Sequence, residues 1–138
     1  MPRLEALLMC DTLVIAPDGK IQLQGIFDRI FVGSLPASHR MAWLYFRFLL
    51  EKPKAPYTHV HLSINRPNGL TEKMADLKVP VGADGKVEGN VALQNFPLMS
   101  EGYHSVDLFM GEDKVGSYRF VVELIKSGAG GKRNESVN

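Results

Sequence analysis

The sequence has few of the features that tie a chain to a membrane or to an oxidising compartment. Its 138 residues contain a single cysteine, Cys10, so no disulfide can form within the chain. No apolar run approaches the roughly 20 residues that a membrane-spanning helix needs, and Glu5 and Asp11 interrupt the apolar start of the chain. We therefore expect a cytoplasmic protein with no membrane partner.

An excess of charge of one sign is also missing. The chain has 16 Lys and Arg against 15 Asp and Glu, which leaves a formal net charge of +1. Because nucleic-acid binding depends on a basic surface, we expect no nucleic-acid partner. The glycine-rich phosphate loop and the Gly-x-Ser-x-Gly elbow of serine hydrolases are absent from the sequence. These gaps favour a protein that is not an enzyme, has no catalytic residues and uses no cofactor.

What the sequence does contain is alternation of apolar and polar residues, interrupted by turn residues. No segment has an apolar stripe of helical period and length. Eight segments have strand character, bounded by Gly, Pro, Asn and Asp. They are residues 4–15, 20–33, 41–51, 57–66, 70–79, 87–94, 103–110 and 115–126.

This pattern predicts an all-β fold, an antiparallel immunoglobulin-like β-sandwich of about eight strands. The polar strand at 70–79 is expected at a sheet edge. Residues 1–126 form one domain in this interpretation. Residues 127–138 contain little that would anchor them to a core, and we expect a flexible tail.

The stretch from Lys20 to Gly33 is the longest run rich in β-branched and aromatic residues, and it contains Gly25 at a change of alternation. A glycine in that position predicts a β-bulge or a bend. Asp28 and Arg29 follow in otherwise apolar sequence, and neighbouring strand residues point to opposite faces. We therefore expect one of these charges to be buried with a partner as a structural anchor, rather than to serve a catalytic or binding role.

The opening of the chain contains Cys10-Asp11, then Gly19-Lys20, then Gly25-Ile26-Phe27-Asp28-Arg29-Ile30. These motifs resemble a family of small bacterial β-sandwich proteins of unknown function. The ending from Glu101-Gly102-Tyr103 through Gly111 to Val115 is similar to that family's last hairpin. The resemblance covers about residues 4–125. It implies a bacterial β-sandwich and no particular activity.

Tyr103 directly follows a glycine and begins a predicted strand. This arrangement resembles the tyrosine corner of immunoglobulin-like domains, in which the phenol bonds back to the preceding loop. A role as an acid or as a ligand contact is the alternative. We expect Tyr103 to be a structural polar residue.

His59 and His61 are the strongest candidates for metal binding. They lie two residues apart on one predicted strand, so both imidazoles face the same side and are able to hold one metal ion. His104 and Asp107 would have to add ligands, but three residues apart on a strand they face opposite sides. Solvent-facing polar positions are the other interpretation, and it leads us to expect no metal site.

The third predicted strand has two distinct faces. One face is wholly apolar and is expected in the core: Ala42, Leu44, Phe46, Phe48 and Leu50. The other face has the residue types that are enriched in protein interfaces: Met41, Trp43, Tyr45, Arg47 and Leu49. An internal cover by residues 34–40 or by the first strand is the alternative. We expect this second row to contact a second copy of the chain or another protein.

Three functions are consistent with these observations. The first is a non-catalytic interaction or scaffold module, a homo-oligomer or the binder of a protein partner. The second is a structural or decoration component of a phage or shell particle, an analogy at the level of the fold. The third is a ligand- or metal-binding protein that uses the strand of His59 and His61. The first is our prediction.

Overall fold

A computed structural model describes residues 2–125 and folds them into nine strands in two sheets, with no helix in that range. The strands are β1 (Arg3–Ile15), β2 (Ile21–Ile26), β3 (Arg29–Val32), β4 (Ala37–Leu49), β5 (Tyr57–Asn65), β6 (Thr71–Pro80), β7 (Lys86–Leu98), β8 (Gly102–Met110) and β9 (Asp113–Leu124). The predicted tail, residues 127–138, lies outside the described residues.

The four-stranded sheet A has the order β2-β1-β4-β7, and the five-stranded sheet B has the order β3-β9-β8-β5-β6. Sheet B curls into a half-barrel. The all-β prediction is confirmed, and so is the edge position of the strand at 70–79. One expectation was wrong, because β3 pairs in parallel with β9 and the fold is therefore not purely antiparallel.

The stretch from Lys20 to Gly33 is not one strand but two, and these belong to different sheets. β2 ends at Ile26, the chain bends at Asp28, and β3 then joins sheet B. Gly25 has a φ of +71° and marks no bulge, since the register with β1 is the same on both sides of it. A Cβ there would lie 2.5 Å from Oδ2 of Asp11, so the position requires glycine.

The burial predicted for Asp28 or Arg29 was wrong, because both are exposed. This segment lies at the bend between the two sheets and outside the core, so neither side chain has to pack against apolar surface. Arg29 forms an ion pair with Glu123 of the neighbouring strand β9. An ion pair this exposed contributes little to the free energy of folding.

The core lies between the two sheets, and β4 supplies its centre. Ala42, Leu44, Phe46 and Phe48 have no exposed surface, as the alternation predicted, and Leu50 packs against the same cluster. Before Met41, however, β4 presents the odd positions to the core, where His39 lies opposite the buried Phe96. The face changes opposite Asn95, which has a φ of +51°. Strict alternation does not predict such a change.

The turns agree with the sequence interpretation. Gly19, Gly69 and Gly85 have φ values between 88 and 90°, the left-handed conformation for which these positions select glycine. They complete the turns Pro17-Asp18-Gly19, Pro67-Asn68-Gly69 and Ala83-Asp84-Gly85, which lie between the predicted strand segments. Within residues 2–125 the structure has no helix of the length and apolarity that crossing a membrane requires.

Candidate functional site

The outer face of sheet A has an apolar centre. Trp43 lies opposite Cys10 on β1 and Ala92 on β7, and Cys10 lies opposite Ile26 on β2. We call this surface the Trp43 face; its residues are Leu8, Cys10, Ile26, Met41, Trp43 and Ala92. Trp43 and Met41 are half-buried and Ile26 is 55% exposed. Each of the nine strands belongs to one of the two sheets, so no strand of residues 2–125 lies across this face.

Polar groups occupy one end of the same face and bind each other. The Tyr45 hydroxyl donates a hydrogen bond to Glu88, and Arg47 Nε lies 2.8 Å from Oε1 of Glu5. Burial, together with the Glu88 carboxylate, raises the pKa of Tyr45 to about 12. Of the five residues expected to form an interface, Tyr45 is therefore buried and hydrogen-bonded within the chain. Trp43, Met41 and Leu49 keep partial exposure.

Cys10 has no exposed surface although it lies on the outer side of the sheet. Its Sγ is 3.3 Å from the carbonyl oxygen of Thr12. Burial raises the pKa of the thiol. A buried thiol with a raised pKa is a poor nucleophile, so the arrangement does not favour cysteine chemistry.

The outer face of sheet B has a hydrogen-bonded carboxylate at its centre. Asp107 accepts hydrogen bonds from Ser117 Oγ at 2.5 Å and from Asn65 Nδ2 at 2.8 Å, and Lys114 Nζ lies 3.4 Å away. Asn65 also bonds Ser105 and Thr71. Burial raises the pKa of Asp107, but these hydrogen bonds and the Lys114 charge outweigh it and hold the pKa below its usual value.

His59 and His61 also face outward on sheet B, as the alternation predicted. The His61 ring stacks on Phe109 with 4.7 Å between centroids. His104 points into the core instead, so the candidate ligands do not converge. Within residues 2–125 no group of three His, Cys, Asp or Glu side chains is placed to hold a metal ion.

Tyr103 does not form the expected tyrosine corner. Its side chain is 59% exposed on the outer face of sheet B, and the Arg119 guanidinium lies 4.6 Å from the ring centroid. The strand alternation that buries His104 turns Tyr103 outward. The comparable structural tie is made by Tyr118, whose hydroxyl donates to the carbonyl of Phe27 beside the bend between β2 and β3. Asp28, Arg29, Tyr103 and Arg119 line a shallow hollow of about 380 Å³.

Buried polar residues that the sequence interpretation missed gather near one end of the core. The His104 ring is almost fully buried against Phe120, with Nδ1 3.0 Å from the Gly102 carbonyl. Burial lowers the pKa of His104, which favours its neutral form. Arg66 is also buried and binds Glu72 through Nε and Nη2. Alternation along β8 places His104 on the inward side, and this was the available sequence signal for its burial. No feature of the sequence predicted the burial of Arg66.

A family model matches residues 5–123, and its description is a family of unknown function, DUF6941. The chain belongs to this family. The match covers nearly the whole described part of the chain and is consistent with the expectation of an uncharacterised family. No curated protein matches the chain in sequence.

Solved structures with a similar fold belong to much larger proteins. A Pseudomonas fluorescens alkylpurine DNA glycosylase bound to DNA with an abasic site analogue matches with a TM-score of 0.51 and 15% identity; the match covers 85% of this chain and 30% of that one. Listeria innocua β-glucosidase in complex with glucose matches with a TM-score of 0.54 and 11% identity over 89% and 16% of the two chains. An Erythrobacter marinus β-glucosidase matches with a TM-score of 0.55 and 11% identity over 88% and 15%.

The chain therefore spans less than a third of the length of each of these proteins. At such identities the likeness concerns the fold alone.

Proposed function

We propose that this chain is a non-catalytic protein-interaction module with an immunoglobulin-like β-sandwich fold, and that the Trp43 face is its binding surface. The observation that carries the proposal is the position of the only tryptophan, half-buried at the centre of an apolar sheet face that no described strand crosses. Contiguous apolar patches on soluble proteins often mark interaction sites. The two-sheet arrangement supports the immunoglobulin-like assignment.

The charges around the face support the same function. Glu5 binds Arg47 and Glu88 binds Tyr45, so the carboxylates bordering the apolar centre already have partners. A docking protein would not have to desolvate an unpaired charge there, so binding avoids a large unfavourable free energy. Trp and Tyr are also the residue types that most often dominate the energy of an interface.

A second copy of the chain is the partner to test first. Sedimentation equilibrium of the full chain should show association that Trp43→Ala weakens by about 2 kcal/mol or more. The emission of Trp43 should shift to shorter wavelength as the concentration rises, because association removes water from the indole. Tyr103→Ala, which removes an exposed aromatic residue from sheet B, is the matched control and should leave association unchanged.

A wild-type chain that stays monomeric at millimolar concentration, with an emission maximum independent of concentration, would end the self-association form of this proposal. Equal effects of Trp43→Ala and Tyr103→Ala would show that the Trp43 face has no special role.

A further inference from the structure

The two sheets end in four edge strands, and three of them carry devices that block pairing with another chain. β7 contains Pro97, which has no N–H to donate to a further strand. β6 carries several charges and ends at Pro80. β3 is only four residues long. The exception is β2, whose sequence Ile-Gln-Leu-Gln-Gly-Ile contains neither a charge nor a proline.

The free backbone groups of β2 follow from its pairing with β1. The Ala16 N–H bonds the Lys20 carbonyl at 2.8 Å, and the register then continues without a shift. Because hydrogen-bonded and non-hydrogen-bonded pairs alternate in an antiparallel ladder, Gln22 and Gln24 direct their backbone groups toward β1. The N–H and C=O groups of Ile21 and Leu23 point away from the sheet, and no strand of residues 2–125 lies beside them.

We propose that β2 pairs with β2 of a second copy, antiparallel about a two-fold axis at Leu23. This register places Leu23 opposite itself, so the free N–H and C=O groups of the two Leu23 residues are able to bond each other. It also places Gln22 opposite the second copy's Gln24, twice by symmetry. Both glutamines are exposed on the outer face, so their amides are able to bond each other across the axis.

A second copy fits this edge better than a different protein for a physical reason. A two-fold contact repeats every residue on both sides of the axis, so a charge close to the axis would lie near its own copy and repel it. The six residues of β2 are uncharged, and their polar side chains are two glutamines that complement each other in this register. Ile26, 55% exposed at the end of the strand, would lose water on pairing.

The pairing would join two copies of sheet A into one eight-stranded sheet with both Trp43 faces on the same side. The contact uses the strand edge and shares only Ile26, at the margin, with the Trp43 face; Trp43 itself takes no part. The two surfaces are therefore separable by mutation, and either proposal is able to fail while the other holds.

The decisive experiment measures edge pairing in the full chain carrying Trp43→Ala, which removes the contribution of the apolar face. Sedimentation equilibrium should find a dimer. Adding Gln22→Lys and Gln24→Lys places like charges opposite each other twice and should weaken the dimer about tenfold or more. Adding Gln22→Lys and Gln24→Glu instead places opposite charges together in the proposed register and should preserve the dimer.

Gln94→Lys is the control, because it makes the same Gln-to-Lys change once at an exposed position of β7, the other edge of sheet A, and should not change the dimer. Circular dichroism verifies that each variant is folded, which exposed glutamine positions on an edge should allow. The amide of Leu23 should exchange with solvent slowly in the dimer and rapidly in the double-lysine variant.

A Trp43→Ala chain that is monomeric at millimolar concentration would overturn the proposal. So would a folded double-lysine variant that dimerises as tightly as its parent. Loss of the dimer in the Lys and Glu variant would contradict the register, and with it the two-fold axis at Leu23.

Discussion

The outer faces of the two sheets are built from the same kind of alternating strand, yet they differ in how their central positions are filled. On sheet B the carboxylate of Asp107 lies between strands that offer Ser117 and Asn65, and every charge at the centre has a partner. On sheet A the corresponding centre is Trp43 between Cys10 and Ala92. One face satisfies its polar groups internally, and the other has a partly exposed apolar centre.

The difference shows that outward alternation does not by itself define an interaction surface. Polar rows on neighbouring strands are able to bind each other, as around Asp107, and they then serve stability. An apolar row forms no such hydrogen bonds, and on sheet A no strand of residues 2–125 covers it. Three substitutions test this contrast, and they are ordered by the size of the expected effect.

The largest effect is expected for Asp107→Ala. The change removes charge-assisted hydrogen bonds from a nearly buried site and should lower the free energy of unfolding by about 2 to 3 kcal/mol in urea titrations. Asp76→Ala, at an exposed carboxylate paired with Lys73, is the control and should change little. Because the folded-state pKa of Asp107 is depressed, its stabilisation is present above pH 3.8 and is lost as the pH falls further. Equal losses from both variants would contradict the contrast.

A smaller loss is expected on the other face for Tyr45→Phe, which removes one hydrogen bond to Glu88 and should cost about 1 kcal/mol. In the folded chain Tyr45 keeps its proton up to a pKa of about 12, whereas the unfolded chain releases it near 10. The stabilisation is therefore complete below pH 10 and disappears as the pH rises to about 12. Thermal unfolding across this range should show a shallower alkaline loss for Tyr45→Phe than for wild type. An identical loss of thermal stability at alkaline pH in both chains would contradict this prediction.

The smallest effect is expected for His61→Ala. The substitution removes the stack on Phe109 and should cost about 0.5 kcal/mol, with His59→Ala as a control that has no such stack. Added zinc should leave the melting temperature of the wild-type chain unchanged. A zinc-dependent rise in the melting temperature of the wild-type chain that is absent in His61→Ala would support the metal-binding hypothesis. It would also contradict the contrast between the two faces.

Local patterns predicted much of the fold because they reflect local physics. The turns at Gly19, Gly69 and Gly85 need a left-handed residue, and the core face of β4 has to be apolar. Both were readable from single segments. The errors arose where one continuous segment contributes to both sheets, or where a strand changes the face that it turns toward the core. The bend after Ile26 sends a continuous β-rich run into two sheets, and the phase change before Met41 turns His39 inward.

The candidate site was predicted in part. Alternation identified the row that contains Trp43 and assigned His59 and His61 to the outward side. It had no means of detecting that Tyr45 and Arg47 find partners in Glu88 and Glu5, because those residues lie about 40 positions away in sequence. The Gly102-Tyr103 motif predicted a tyrosine corner, but alternation along β8 directs the Tyr103 side chain outward.

By itself, the sequence determined that this chain forms β-strands separated by glycine turns around a large apolar core, because backbone conformation and side-chain alternation are local properties. Only the tertiary structure decided which outward rows satisfy their own polar groups and which edge strand lacks protection. Those properties depend on which strands become neighbours. That choice made Asp107 a structural carboxylate, left Trp43 at the centre of a face that no strand of residues 2–125 crosses, and placed the uncharged β2 at the edge of sheet A.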